Sequence, residues 1–389
     1  MTNTSRGAGG RPRRHRVLRT PLLLLAVLAI VLVGGGVALW LNVGRDTPYA
    51  DAAWEEVVPG GDCHCADGSE FTFWDRRTDP TKVVLFLNGG GVCWDAASCA
   101  FTSDGPPGES DLYGWNLQSD GPGNNFDEDG IFDFSNDDNP FADYSFLYVA
   151  SCTGDAQLGN VSQKYSDTLT VEHNGYVNGT AALDHLAKTY PDATQVVVIG
   201  KTAGSIAAPI YGGLVADRLP DAQVTVFGGQ SGAWPDNPDF NTAVLDAAWG
   251  AYDTMPDWAV QGLTDRQWGV PRFWTQAGLH NPDLVLSRFD YAYDPHAAVE
   301  ITGWEHGDSP SIDPVPGFDE LAVIDTNEKA IEAAGANLHS YTAPGEGHGL
   351  FEHDDFYQIK VNGTRLVDWL DMLVTDDPPD DVHCTKCDP

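Results

Sequence analysis

Basic residues are scarce in this 389-residue chain, where 21 lysines and arginines face 57 aspartates and glutamates for a formal net charge of −36. A surface of that sign repels phosphate, which excludes a nucleic-acid binder and attraction to anionic lipid. No acid precedes Asp46 and no cysteine precedes Cys63. No second C-x-x-C accompanies Cys384-x-x-Cys387, so a zinc or redox motif gives way to disulfide bonding as the reading of the cysteines. No internal repeat is visible. With 42% hydrophobic and 20% charged residues, the chain is far too apolar and aromatic to be disordered, and one large domain is the simplest organisation.

The N-terminus stands apart. Arg6, Arg11, Arg13, Arg14, Arg16 and Arg19 precede an apolar run of 23 residues, Pro21 to Val43, which is long enough to cross a bilayer. The arginine bias holds residues 1–20 in the cytoplasm and sends the rest outside, so residues 21–43 read as a transmembrane signal anchor of a single-pass membrane protein. The alternative is secretion after cleavage at Ala50-Asp51-Ala52, although that site lies late and the run is longer than an ordinary signal core. Beyond residue 45 only 14 basic residues oppose the 57 acidic ones, a net charge of −43 on the outer part. Solubility or adaptation to salt explains this more simply than a cation site. The tract Asn124 to Gly130 is acidic enough for calcium, but it lacks the twelve-residue ligand spacing of an EF-hand. The seven cysteines (Cys63, Cys65, Cys93, Cys99, Cys152, Cys384, Cys387) all lie on the side where an oxidising compartment lets them pair, and their odd number leaves one over.

After a tether at 44–60, a domain over 61–389 shows strands alternating with helices. Thr81 to Leu87, Ser145 to Ala150, Gln195 to Ile199, Gln223 to Phe227, Leu284 to Phe289 and Leu338 to Thr342 are short apolar, β-branched runs of the kind covered on both faces. Helical patterns fall at Tyr176 to Lys188, after Gly204, and around Asp319 to Ala334. This rhythm predicts an α/β fold with a mostly parallel central sheet and helices on both faces. Pro106 to Asn139 is rich in Gly, Asp, Asn and Pro and reads as an irregular surface excursion. The tryptophan-rich stretch 234–274 reads as a cap-like insert, and residues 376–389 as a cysteine-containing tail.

The strand Gln195 to Ile199 runs straight into Gly200-Lys201-Thr202-Ala203-Gly204 and a helix, the context of a G-x-S-x-G nucleophile elbow. The central residue is Thr202 where serine is usual. The turn Gly89-Gly90-Gly91 follows the first central strand, where α/β-hydrolases carry the backbone N–H groups that, with that of Ala203, bind an oxyanion. An acid and a histidine must follow later strands. Asp294 and the glycine-flanked His348 stand at those places, in the order nucleophile, acid, base. Asp290 is a rival acid. His306, His339 and His353 are weaker rivals for the base, and Ser205 is a poor substitute nucleophile inside the helix.

At these residues the chain resembles the pectin acetylesterase and Notum family of carboxylester hydrolases over most of Asp62 to Leu373. The resemblance is carried by Cys63-His64-Cys65 with Asp67-Gly68-Ser69, by VVLFLNGGGVCWDAASC from Val83 to Cys99, and by GIFDFSNDDNPFADYSF from Gly130 to Phe146. CTGD from Cys152 to Asp155, the elbow, the Tyr293-Asp294 segment and the His348 loop add to it. It implies an α/β-hydrolase fold with Thr202 at the nucleophile position, Asp294 as acid, His348 as base, and Gly89, Gly90 and Ala203 as the oxyanion hole. It also implies a Cys93–Cys99 disulfide and a bond from Cys152 to Cys63 or Cys65, with the tail cysteines taking the remainder. It calls for no cofactor and no metal.

The expected function is extracytoplasmic hydrolysis of a carboxylic ester, on an acylated polysaccharide or a small acyl ester. Thr202 departs from the family pattern, because its extra methyl must fit a strained turn where χ1 is already restricted. The first rival is therefore a catalytically silent relative that binds glycan or acyl groups at the surface, and the second a structural or cation-binding envelope protein.

Overall fold

The computed structural model describes residues 51–100, 129–304, 318–375 and 378–388. The expected anchor at 21–43, most of the excursion within 106–139, and His306 lie outside the described residues. Among the described residues no helix is long and apolar enough to cross a membrane.

In chain order the strands are β1 (Trp54–Val57), β2 (Phe73–Arg76), β3 (Asp79–Leu87), β4 (Tyr144–Val149), β5 (Val161–Lys164), β6 (Thr170–His173), β7 (Gln195–Lys201), β8 (Gln223–Gly229), β9 (Val285–Tyr291), β10 (Leu338–Ala343), β11 (Lys360–Val361), β12 (Thr364–Arg365) and β13 (Val382–His383). The main helices are α1 (Gly175–Thr189), α2 (Ala203–Arg218), α3 (Val270–His280), α4 (Pro295–Gly303), α5 (Glu320–Ala333) and α6 (Leu366–Leu373). Nine strands form one sheet in the order β1-β2-β4-β3-β7-β8-β9-β10-β13. Every pairing from β4 to β13 is parallel, while β1–β2 and β2–β4 are antiparallel.

The six apolar runs read from the sequence are the six central strands. Their alternation explains the layering, since successive side chains on a strand point to opposite faces. Val83, Leu85 and Leu87 join Val196, Val198, Leu183, Ile206, Phe273 and Ile324 in the larger core. Val84 and Phe86 join Val197, Ile199, Phe227, Tyr341 and Trp369 in the other. The cover is uneven: α1 to α5 contribute to the first core and α6 to the second. Each fully buried Val, Leu or Phe contributes roughly 1.5–3 kcal/mol, so these runs dominate the stability of the sheet.

Within residues 234–274 the backbone makes short helical turns before α3 begins. Trp234, Trp249, Trp268 and Trp274 are buried in the larger core. The Trp249 indole N–H also donates to Cys93 O at 2.7 Å, which ties this stretch to the loop after β3.

Three disulfides form: Cys65–Cys152, Cys93–Cys99 and Cys384–Cys387. The tail cysteines thus bond to each other, and the unpaired thiol is the buried Cys63.

The topology fixes where chemistry can occur. From β3 the chain passes to β4 on one side and later to β7 on the other, so the space beyond the carboxyl ends of β3 and β7 is a topological switch point, where open α/β sheets bind ligands.

Candidate active site

Four segments meet at that edge. Leu87 at the end of β3 is level with Gly200 of β7, and Lys201 is level with Gly229 of β8. The residues leaving these strands, Asn88-Gly89-Gly90 and Thr202, therefore arrive side by side.

Thr202 has φ 44° and ψ −112°, a region that β-branched residues avoid and that costs on the order of 1–3 kcal/mol. The surroundings impose it. The Thr202 N–H donates to Gly229 O at 2.9 Å, its carbonyl accepts from Ser205 N at 2.9 Å, and α2 starts at the next residue. Gly204 lies so close to β3 that a Cβ there would sit 2.1 Å from Leu87 O. The small residues flanking Thr202 are thus required by the contact of helix and strand.

The Thr202 side chain is 6% exposed and faces the Gly89 turn. A Cβ built on Gly89 would fall 1.8 Å from Thr202 Oγ1 and 2.8 Å from Lys201 O. Gly89→Ala is accordingly expected to lower stability by about 1–3 kcal/mol, the ordinary cost of overpacking. A thermal melt with an unchanged midpoint would contradict this packing. The turn itself is braced from below. Asn88 N donates to Val149 O at 2.9 Å, Gln157 Nε2 donates to Asn88 O at 2.9 Å, and Cys93 N donates to Gly154 O at 2.8 Å. Gly89 therefore stands against Thr202, the residue before Ala203, which opens α2 with leading N–H groups that have no partner within the helix.

Asp294 caps the N-terminus of α4, with Oδ1 accepting from His296 N at 3.0 Å and Ala297 N at 3.1 Å. Its Oδ2 accepts from His348 Nδ1 at 2.8 Å. The acid is 1% exposed, whereas the His348 side chain is 27% exposed. Burial pulls the His348 pKa down, but the hydrogen bond and charge of Asp294, with the charge of Glu300, outweigh it and raise the pKa above the ordinary value.

Around this pair burial disfavours further negative charge. Glu320, which accepts the Asp294 backbone N–H, is pushed up to about 9 by desolvation despite that bond, with Asp294 and Asp290 adding to the rise. Burial also lifts half-buried Glu300 to about 7.

Three of the rivals are engaged with other partners. Asp290 pairs with Arg288 at 2.7 Å and accepts from Gly232 N at 2.7 Å. Ser205 is fully buried against Ser231 Oγ at 2.6 Å. His339 bonds to Pro379 O at 2.9 Å. Among the described residues, Thr202 Oγ1 makes no hydrogen bond to His348, so the structure joins acid to histidine and leaves the threonine hydroxyl turned to the glycine turn.

Two connections had no signal in the sequence. Lys201, beside Thr202, forms an ion pair with Glu352 on the loop after His348, and both side chains are largely buried. Gln230, just beyond β8, bonds to Asp294 and to the His348 loop. Lys201 occupies a variable position of the elbow and Gln230 follows Gly228-Gly229 without matching a motif, and long-range contacts of this kind leave no local pattern.

The family model for Pectinacetylesterase matches residues 58–252. The chain belongs to the pectinacetylesterase family. The match covers the glycine turn, the elbow and Gln230, while Asp294 and His348 lie beyond it. Among curated proteins no sequence matches the chain. Among solved structures it is similar to the Wnt deacylase Notum from Drosophila, with a TM-score of 0.57 and 16% identity over 83% of this chain and 92% of that one. At that identity the likeness establishes the shared α/β fold. Membership supports carboxylester hydrolase chemistry for this pectinacetylesterase relative.

Proposed function

We propose that the protein hydrolyses carboxylic esters outside the cytoplasm, with Thr202 as nucleophile, His348 as base and Asp294 as the group that orients it. The observation that carries this reading is the hydrogen bond from His348 Nδ1 to Asp294 Oδ2 at 2.8 Å beside an elbow threonine held at positive φ. With Nδ1 donating, Nε2 is left to accept a proton.

In the first step the Thr202 hydroxyl oxygen bonds to the acyl carbon while its proton passes to His348 Nε2. The carbonyl oxygen becomes an oxyanion facing the N–H groups of Gly89, Gly90 and Ala203. Collapse expels the alcohol, which takes the proton from His348. Water then repeats the sequence on the acyl-enzyme and frees the acid. Asp294 stabilises the imidazolium in both halves. The substrate class is an acetylated polysaccharide or a smaller acyl ester. The N-terminal arginines and apolar run support a membrane-anchored protein with this domain on the outer side.

One observation favours the silent-relative reading: the Thr202 hydroxyl makes no hydrogen bond to His348 among the described residues. Catalytic hydrogen bonds are often long without substrate and tighten only with it bound. Hydrolysis of p-nitrophenyl acetate by the purified protein, beside Thr202→Ser and His348→Ala, decides between them. Wild-type rates equal to those of His348→Ala, with a gain in Thr202→Ser, would establish the silent relative.

The raised His348 pKa gives a pH prediction. Catalysis needs the neutral ring, so kcat/KM is expected to rise with pH and level off above the ordinary histidine value near 6.5. The linked effect on stability has the opposite sense: the Asp294–His348 pair stabilises the fold fully below the unfolded pKa and loses that contribution as pH rises through the raised folded one. An acid limb centred below 6.5 would contradict the assignment of the base.

A further inference from the structure

Gln230 is a buried residue, 5% exposed, held at φ 72°. Glutamine has no preference for that region, so the backbone strain has to be offset by what the side chain reaches. Its Nε2 donates to Asp294 Oδ2 at 3.0 Å and to Gly347 O at 2.8 Å. Its Oε1 accepts the Gly349 N–H at 2.8 Å. The three partners admit one orientation of the amide, because a flipped group would set its oxygen against two acceptors and its N–H groups against a donor. Gln230 thus grips the chain on both sides of His348 and the same carboxylate oxygen that His348 bonds. The base of this arrangement is rigid, since Gln230 N donates to Phe289 O at 2.8 Å beyond the end of β8.

We propose that Gln230 is a positioning residue of the site, setting the distance and angle between Asp294 and His348 through one amide. The inference rests on the assignment of those two residues as acid and base. It adds a requirement that the assignment does not contain: a donor–donor–acceptor side chain at position 230 that ties the His348 loop to the acid. Gln230→Met keeps the length and removes all three bonds. Gln230→Glu keeps the shape but puts oxygen against Asp294 Oδ2 and Gly347 O, adding negative charge beside the imidazole.

The test compares the full-length protein with Gln230→Met, Gln230→Glu and His348→Ala, each checked for folding by circular dichroism. Activity is measured on p-nitrophenyl acetate across about pH 5–9. Gln230→Met is expected to lower kcat about tenfold or more, with KM within about twofold, as a small misplacement of a base does. Gln230→Glu is expected to move the acid limb to higher pH, which loss of packing alone would not do. A folded Gln230→Met with kcat within about twofold of wild type overturns the proposal. If that variant does not fold, an unmoved limb in Gln230→Glu overturns it. If wild type is no faster than His348→Ala, the esterase reading fails on its own account. The proposal is then judged by the NMR titration of the His348 ring, assigned by its absence in His348→Ala. Gln230→Glu must raise that ring's pKa, and an unchanged titration overturns the inference.

Discussion

Thr202→Ala is expected to lower kcat/KM for p-nitrophenyl acetate by about three orders of magnitude, while Thr202→Ser keeps or exceeds the wild-type rate. Removing the hydroxyl leaves only binding and the N–H groups of the glycine turn and α2, which in related chemistry retain on the order of 10³–10⁴ over water. Serine offers the same oxygen without the methyl. At φ 44° beside Gly89, where 1.8 Å separates Oγ1 from the place of a Cβ, that methyl restricts the rotamers that turn the hydroxyl toward His348. The size of the gain in Thr202→Ser therefore measures what the methyl costs. Thr202→Ala retaining wild-type activity would remove the threonine from the mechanism, and the buried Ser205, bonded to Ser231, offers no replacement.

The stability of Thr202→Ser separates chemistry from strain. Serine tolerates the elbow conformation better than a β-branched residue, so its melting temperature is expected to stay level or rise. A Thr202→Ser protein that is both less stable and less active would show that the methyl is a packing group in its own right.

The parts legible in the sequence are those with a local signature. A buried strand such as Val83 to Leu87 declares itself by a continuous apolar run, and the elbow by Gly200 and Gly204 around a strand-to-helix junction. Asp294 and His348 were legible because chain order and the strands before them restrict the choice, and the structure does bring them within 2.8 Å of each other. What escaped was mostly nonlocal or too short for a pattern. β1 and β2 have four residues each, too few for a periodicity to stand out, and they add an antiparallel edge to a sheet otherwise read as parallel. The tail strand β13 has two residues. The tryptophans of 234–274 suggested a cap because aromatic density breaks the strand and helix rhythm. Their burial against α3 and the loop after β3 depends on tertiary packing that composition does not encode. Gln230 is the sharpest case: its three bonds span from 64 to 119 residues of sequence, and nothing near it announces them.

Cys152→Ser is expected to destabilise the domain by about 4–5 kcal/mol, and Cys65→Ser by less. The bond between them closes a loop of 87 residues, for which the chain-entropy account gives a stabilisation of that size. The loop holds β2, β3, β4 and the Cys93–Cys99 bridge, so opening it frees one whole side of the sheet, including the strand that carries the glycine turn. The two variants differ because of the free thiol. Cys63 is buried two residues from Cys65, so Cys65→Ser leaves a thiol that Cys152 can capture by a local shift of the chain, restoring a loop of nearly the same length. Cys152→Ser leaves both Cys63 and Cys65 without that partner. Burial raises the Cys63 pKa, with the charge of Asp62 adding to it, which keeps the group a thiol and slows its exchange while the native bond is intact. Denaturant unfolding of Cys152→Ser, Cys65→Ser and Cys63→Ser/Cys65→Ser under oxidising conditions tests this directly. The double variant should match Cys152→Ser, and the single Cys65→Ser should lie between it and wild type. Equal losses in all three would mean that Cys63 cannot reach Cys152, and that the strand Phe73–Arg76 holds this segment too firmly for the bond to re-form.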